Sequence, residues 1–250
     1  MIAIRTPEEL VLMREGGKKL GVILQDLLEF SKTGVTLLDI DAHADKRIGE
    51  SGGTASFKTV RGYKWATCLC VNDVVVHGIP TNYKLKDGDI FTIDVGMLYK
   101  GFHTDTAWTK IIGGGTNEFL RVGEEALWKA IEQAILGNHI GHISKALEDT
   151  IVGAGFSIVK SLVGHGVGKA LHEEPQIPGF LRGKIEDTPA LQEGMTIAIE
   201  AIYAMGSGEV NYDHPDGWTV ATRDHSRAAV FEHTLAIGAA RPVVLTKVDL

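Results

Sequence analysis

The first fifty residues place apolar side chains at helical spacing. Thr6-Pro7-Glu8-Glu9 supplies, in order, an N-cap, a proline at the first helical position and a capping-box glutamate. A helix is predicted from there to about Phe30, with Leu20, Ile23, Leu24, Leu27 and Leu28 on its apolar stripe. A second helix is predicted from near Thr36, with Asp39 three residues on, to a stop at Gly52-Gly53. The period then shortens to that of strands, over 66–71, 73–77, 90–97 and 102–111.

The same order recurs. Leu127, Ala130, Ile131, Ala134 and Ile135 mark a helix over about 117–136, and a shorter one spans roughly 144–152. Strands follow over 156–163, 195–204, 218–222 and 228–237. The chain therefore reads as two similar halves meeting near Gly113-Gly114-Gly115. Neither half alone buries a convincing core. The expected fold is α+β: one domain over 1–250 with a single antiparallel sheet and helices packed on one face.

Composition narrows the function classes. With 250 residues, 44% hydrophobic and 23% charged, the chain suits a soluble globular protein. The formal net charge of −7 and the lack of a basic cluster argue against duplex nucleic acid as a partner, while leaving room for transient ribosome contact. Two cysteines, Cys68 and Cys70, are too few for a disulfide framework or a four-thiolate zinc site and fit a reducing cytoplasm. The N-terminal residues do not read as a signal peptide, and no apolar run is long enough to span a membrane.

The chemistry concentrates in a few places. In Ile93-Asp94-Val95-Gly96 and Gly101-Phe102-His103-Thr104-Asp105-Thr106, a two-residue turn at Tyr99-Lys100 sets Asp94 directly opposite Asp105, with Cβ atoms about 4.5–5.5 Å apart. Two facing carboxylates repel, so a proton or a cation must relieve them. Each aspartate alone would more often be a solvent-facing residue of an edge hairpin. Their shared face among apolar neighbours favours a metal. Glu200 and Glu232 each interrupt an apolar strand, a costly placement unless paired or metal-bound. His165, in Gly164-His165-Gly166-Val167-Gly168, and His172 offer imidazoles in what reads as a glycine-rich loop. His77 ends an apolar strand at a turn and by itself reads as structural. Four carboxylates and one imidazole form a hard, oxygen-rich donor set suited to Mn²⁺, Fe²⁺ or Co²⁺.

With these residues in view, the sequence resembles the type I methionine aminopeptidases of the pita-bread metallopeptidase family over nearly its whole length. Eight short anchors in order carry the resemblance, among them Val-Val-Val-His-Gly-Ile-Pro ending at Pro80, Gly-Phe-His-Thr-Asp-Thr from Gly101, Gly-His-Gly-Val-Gly from Gly164, His-Glu-Glu-Pro from His172 and Glu-His-Thr from Glu232. The resemblance implies a pseudo-two-fold sheet and hydrolytic removal of the initiator methionine from peptides and nascent chains. It also implies two divalent ions, drawn from Co, Mn, Fe or Zn, and a cytoplasmic monomer. Asp94, Asp105, His165, Glu200 and Glu232 match the family's ligands, with Asp105 and Glu232 shared between the ions. Glu200, His172 and His77 match its catalytic and substrate-contacting groups, and Tyr63, Cys68 and Trp218 its methionine pocket.

The sequence departs from the family pattern at Ala198, Ala201 and Val230, where threonine, proline and glutamine are usual, and at Phe57 and Leu171 in the pocket. No ligand is lost, so these changes bear on pocket shape and rate rather than on reaction class. The chain lacks the long insertion of type II enzymes between His165 and Glu200, and the zinc-binding extension of eukaryotic type I enzymes. Two other readings compete. A proline-directed aminopeptidase or prolidase would share the ligands but usually carries an extra N-terminal domain. A non-catalytic binding module on the same fold would typically have lost ligands.

Overall fold

The computed structural model describes residues 2–247. The first half comprises α1 (Pro7–Phe30), α2 (Leu37–Glu50), β1 (Thr54–Ala55), β2 (Thr67–Val71), β3 (Val74–Val76), β4 (Ile90–Tyr99) and β5 (Phe102–Ile111). The second half comprises α3 (Glu118–Glu132), α4 (Ile140–Gly153), β6 (Ser157–Ile158), β7 (Val163–Gly166), β8 (Glu173–Pro178), β9 (Thr196–Ala204), β10 (Val210–Asn211), β11 (Val220–Thr222), β12 (Ala228–Ala236) and β13 (Val243–Val244). Both long N-terminal helices start as expected. Thr6 with Glu9, and Thr36 with Asp39, form reciprocal capping boxes.

The main sheet is antiparallel, in the order β1-β4-β5-β12-β9-β7-β8, with the two halves meeting at β5 and β12. Alternation along the strands sorts its faces. Ile93 and Val95 of β4 pack with Leu20, Leu27 and Ile40 of α1 and α2. Ile197 and Ile199 of β9, with Phe231 of β12, pack with Leu127 and Ile143 of α3 and α4. Trp108 touches both clusters and joins the two halves. With the odd-numbered residues of β4, β9 and β12 committed to the helices, Asp94, Glu200 and Glu232 must face the other way. A small sheet in the order β10-β11-β3 packs its Val75, Val76 and Val220 against that second face, beside Ala107, Ile202 and Val230.

Several expected boundaries move. The β4–β5 turn lies at Lys100-Gly101, not Tyr99-Lys100. A two-residue hairpin with positive φ at both positions matches the strand twist. Gly101 adopts φ 87° freely and Lys100 takes 49°, whereas Tyr99 stays in the strand, donating from its hydroxyl to Glu15 of α1 at 2.6 Å. Helix α3 stops at Glu132, short of the expected 136, because Ile135 and Leu136 turn outward into solvent. Helix α4 begins at Ile140, earlier than the expected 144. His142 Nδ1 accepts the His139 N–H there, so an imidazole does the work a carboxylate usually does. The expected strand over 156–163 leaves the sheet after Ile158 and resumes at Val163. Gly164-His165-Gly166 is therefore strand, not loop, and β8, with prolines at 175 and 178, has no counterpart in the expected elements.

Candidate active site

Register brings the acidic residues together. On the face away from the helices, Asp94, Ala107, Glu232 and Glu200 stand in one row across β4, β5, β12 and β9, each paired with the next. The neighbouring row runs from Gly96 to Asp105 and, across the sheet, from Thr234 through Ala198 to His165. Successive strands lie about 4.8 Å apart, so two adjacent rows gather five donor side chains from five strands. The expected direct pairing of Asp94 with Asp105 is corrected. Asp94 faces Ala107 and Asp105 faces Gly96, so the two carboxyls are diagonal neighbours on one face, displaced by the one-residue shift of the turn. Alongside loss of hydration, the Asp105 charge still bears on Asp94, raising its carboxyl.

Two of the donors are held by hydrogen bonds. Asp105 Oδ1 accepts the Thr106 N–H at 3.0 Å. Thr234 Oγ1 accepts the Asp105 N–H at 2.9 Å and donates to the Asp105 carbonyl at 2.8 Å, taking the place of ladder bonds beyond His233. His165 Nδ1 lies 2.8 Å from the Gly166 carbonyl, which assigns the proton to Nδ1 and leaves the Nε2 lone pair facing the acids. That Nε2 lies 3.7 Å from Glu200 Oε1.

This cluster is electrostatically unsatisfied. Among the described residues no lysine or arginine forms an ion pair with any of the four carboxylates. Asp94 Oδ1 and Glu232 Oε1 are buried without a hydrogen-bond partner, a costly state for a carboxylate. Loss of hydration and mutual repulsion hold Asp94 and Glu232 well above the ordinary carboxylate range. Loss of hydration also raises Asp105 to about 7 and, with the Asp105 charge, Glu200 to about 8. Burial, with His172 alongside, lowers His165 to about 4, so its imidazole is neutral and free to ligate. Donor atoms of Asp105, His165 and Glu232 all lie within 4.8 Å of one another. Unpartnered acid oxygens beside a neutral imidazole are the complement of a divalent cation, and the donor set fits one.

The cluster floors a cavity of about 620 Å³. One wall is apolar. Tyr63 packs edge-on against Trp218 at 5.1 Å and against Phe57 at 6.3 Å, and its hydroxyl donates to the Thr67 carbonyl at 2.8 Å, with Cys68 Sγ 3.3 Å away. Burial pushes the Cys68 thiol up, so it serves as a small apolar surface. Trp218 is fixed by Asp216, which accepts the Trp218 and Thr219 N–H groups at 2.8 Å each. Leu171 packs with Phe57, Tyr63 and Cys68. The His172 ring sits 4.4 Å from that of His165, and both His77 and His172 are exposed at the cavity. Loss of hydration lowers both, and His172 lowers His77 further, so each is a neutral ring able to donate or accept one hydrogen bond.

Residues 11–239 match the model of metallopeptidase family M24. The chain belongs to that family. A methionine aminopeptidase from Clostridium perfringens is 40% identical over 98% of this chain and 99% of its own. The crystal structure of a methionine aminopeptidase from Thermotoga maritima superposes with a TM-score of 0.94 at 39% identity, over 99% of this chain and 100% of that one. A prolidase from Pyrococcus furiosus reaches a TM-score of 0.78 at 22% identity, with only 66% of its chain matched, a likeness of fold alone. Within family M24 this chain thus sides with the methionine aminopeptidases, and membership implies divalent metal binding, in agreement with the unsatisfied acids. All ten residues singled out from the sequence line the one cavity. Thr234, Gly96 and Arg5 received no role from the sequence. Thr234 had a usable signal, since it lies two residues beyond Glu232 and so shares its face. Arg5 had none, being far along the chain from everything it touches.

Proposed function

We propose that this chain hydrolyses the first peptide bond of N-terminal methionyl peptides and nascent chains, as a monomer in the cytoplasm. Two divalent ions, drawn from Co, Mn, Fe or Zn, would be held by Asp94, Asp105, His165, Glu200 and Glu232. In two-metal hydrolases, aminopeptidases among them, such ions lower the pKa of a bound water towards neutrality and polarise the scissile carbonyl. Glu200, on the His165 side of the acid row, takes the proton of the attacking water and delivers it to the departing amine. His172 donates a hydrogen bond to the oxygen on which charge develops. His77 contacts the peptide nitrogen beyond the scissile bond. The wall of Tyr63, Cys68 and Trp218, with Phe57 and Leu171 beside it, takes the unbranched methionine side chain, whose polarisable sulfur suits aromatic edges.

The observation that supports this reading most is the adjacency of five metal-ligating side chains, two with buried unpartnered oxygens, to an apolar aromatic slot in one cavity. Glu200→Gln tests it. Turnover of a Met-Ala peptide should fall by about 10²–10⁴-fold, the usual contribution of a general base, with the far-UV spectrum unchanged. Exhaustive chelation should abolish activity and Mn²⁺ or Co²⁺ restore it. Wild-type-like turnover by the variant, or activity that survives chelation, refutes the assignment. Preference for an x-Pro over a Met-Ala substrate would favour the prolidase reading instead.

A further inference from the structure

The segment between His165 and β8 carries His172, yet the His172 ring makes no hydrogen bond to the described protein and is exposed to the cavity. Its placement must come from the backbone that bears it. That backbone is tied from outside. Arg5, in the extended segment before α1, donates its N–H to the Gly194 carbonyl at 2.8 Å and buries its guanidinium, with only 5% of the side chain exposed. Arg5 Nη2 forms an ion pair with Glu173, the residue next to His172. Arg5 Nε donates to Thr196 Oγ1 at 3.3 Å, and that hydroxyl donates to the Val167 carbonyl at 2.6 Å. The other Glu173 oxygen accepts the Ala170 N–H at 2.9 Å. A Cβ at Gly168 would collide with the guanidinium, so the loop passes directly over it. His103, two residues before Asp105, adds a backbone bond to the Gly168 carbonyl at 2.6 Å. Lys169 reaches Glu9 of α1 at 2.9 Å.

We propose that Arg5 is a positioning residue for the hydrolytic reaction: through its buried ion pair with Glu173 and its contact with Thr196 it fixes the 167–173 loop and thereby aims His172 into the site. The N-terminal segment, remote in sequence from every other site residue, thus takes part in setting the rate. A planar guanidinium suits this task because its fixed fork meets the hydroxyl from Nε and the carboxylate from Nη2, whereas an ammonium offers a single nitrogen. The inference rests on the reading of His172 as the group that meets the developing oxyanion.

Removing one partner of a buried pair strands the other charge, so the decisive variant removes both, as Arg5→Met with Glu173→Gln. It should fold, with kcat for a Met-Ala peptide lowered about ten-fold or more, as misplacement of a contact group can do, and KM within about two-fold. Hydrogen exchange of the metal-free protein should be faster across 167–173 and unchanged in β4. Arg5→Lys keeps the charge and should fall between wild type and the double variant in both readouts. It provides the same comparison should the double variant not fold. A folded variant with wild-type kcat, or with unaltered exchange in the loop, overturns the inference. His172→Ala, run alongside, separates the two ideas. Lost turnover there with unaffected Arg5 variants overturns this inference alone, whereas undiminished turnover in His172→Ala overturns the underlying role of that histidine.

Discussion

Gly96 faces Asp105 across the hairpin at a point where any side chain would intrude. A Cβ built there lies 2.8 Å from Ser56 Cβ, 3.2 Å from Asp105 Oδ1 and 3.2 Å from Phe57 Cε1. Its glycine is demanded by space beside the carboxylate rather than by backbone conformation. Gly96→Ala should therefore cost about 1–3 kcal/mol of stability, the usual range for overpacking. It should also weaken Mn²⁺ binding, since Asp105 must give way. Denaturant melts and calorimetric titration would measure the two effects, and unchanged Mn²⁺ affinity would mean that Asp105 has room to spare. Thr234 is the complementary case. Its hydroxyl braces both backbone groups of Asp105, so a short polar side chain replaces sheet bonding where the acid needs a fixed position. Ala198 is a small member of the acid rows, opposite His165, and Val230 joins the apolar cluster beneath the small sheet.

Elements divide between those that local pattern specifies and those it does not. Helices α1 and α2 were legible because capping boxes and apolar stripes are local signals, and both lie close to the expected bounds. Strands β4, β5, β9 and β12 were legible because their alternation commits one set of residues to the helices and leaves the acids on the other face. The hairpin register was not, because one residue of turn placement decides it and the tie of Tyr99 to Glu15 comes from a helix 84 positions away. Strand β8 was hidden by its two prolines, which an edge strand tolerates. Helix α3 shows how the helical layer stays separate from the chemistry. Leu127 is fully buried among residues of the second half, on the opposite face of the sheet from Glu232 and Glu200. Leu127→Ala should destabilise the protein by about 2–5 kcal/mol through lost burial and a residual cavity. KM for a methionyl peptide should stay near wild type below the melting transition. A large rise in KM would show that the helical layer reaches into the pocket.

At the scale of the molecule, folding carries four carboxylates onto two adjacent rows with no lysine or arginine partner among the described residues, and a cation binding only the folded chain must stabilise it. At a free concentration about 100 times its Kd, a single bound divalent ion adds about 2.7 kcal/mol, which for a chain of this size raises Tm by about 5–10 °C. Calorimetric scans of the stripped protein with and without Mn²⁺ would measure the shift. An unmoved Tm would mean that the acids relieve their repulsion by protonation alone. The sequence by itself determined the donor types and the shared face of Asp94 and Asp105, because side-chain chemistry and the two-residue period are local properties, while the lining of the slot was implied by the family resemblance. Only the tertiary structure decided which strands are neighbours, that Asp94 faces Ala107 rather than Asp105, and that Arg5 reaches the loop of His172. Register and long-range contacts follow from the packing of the whole chain, and no local stretch of residues encodes them.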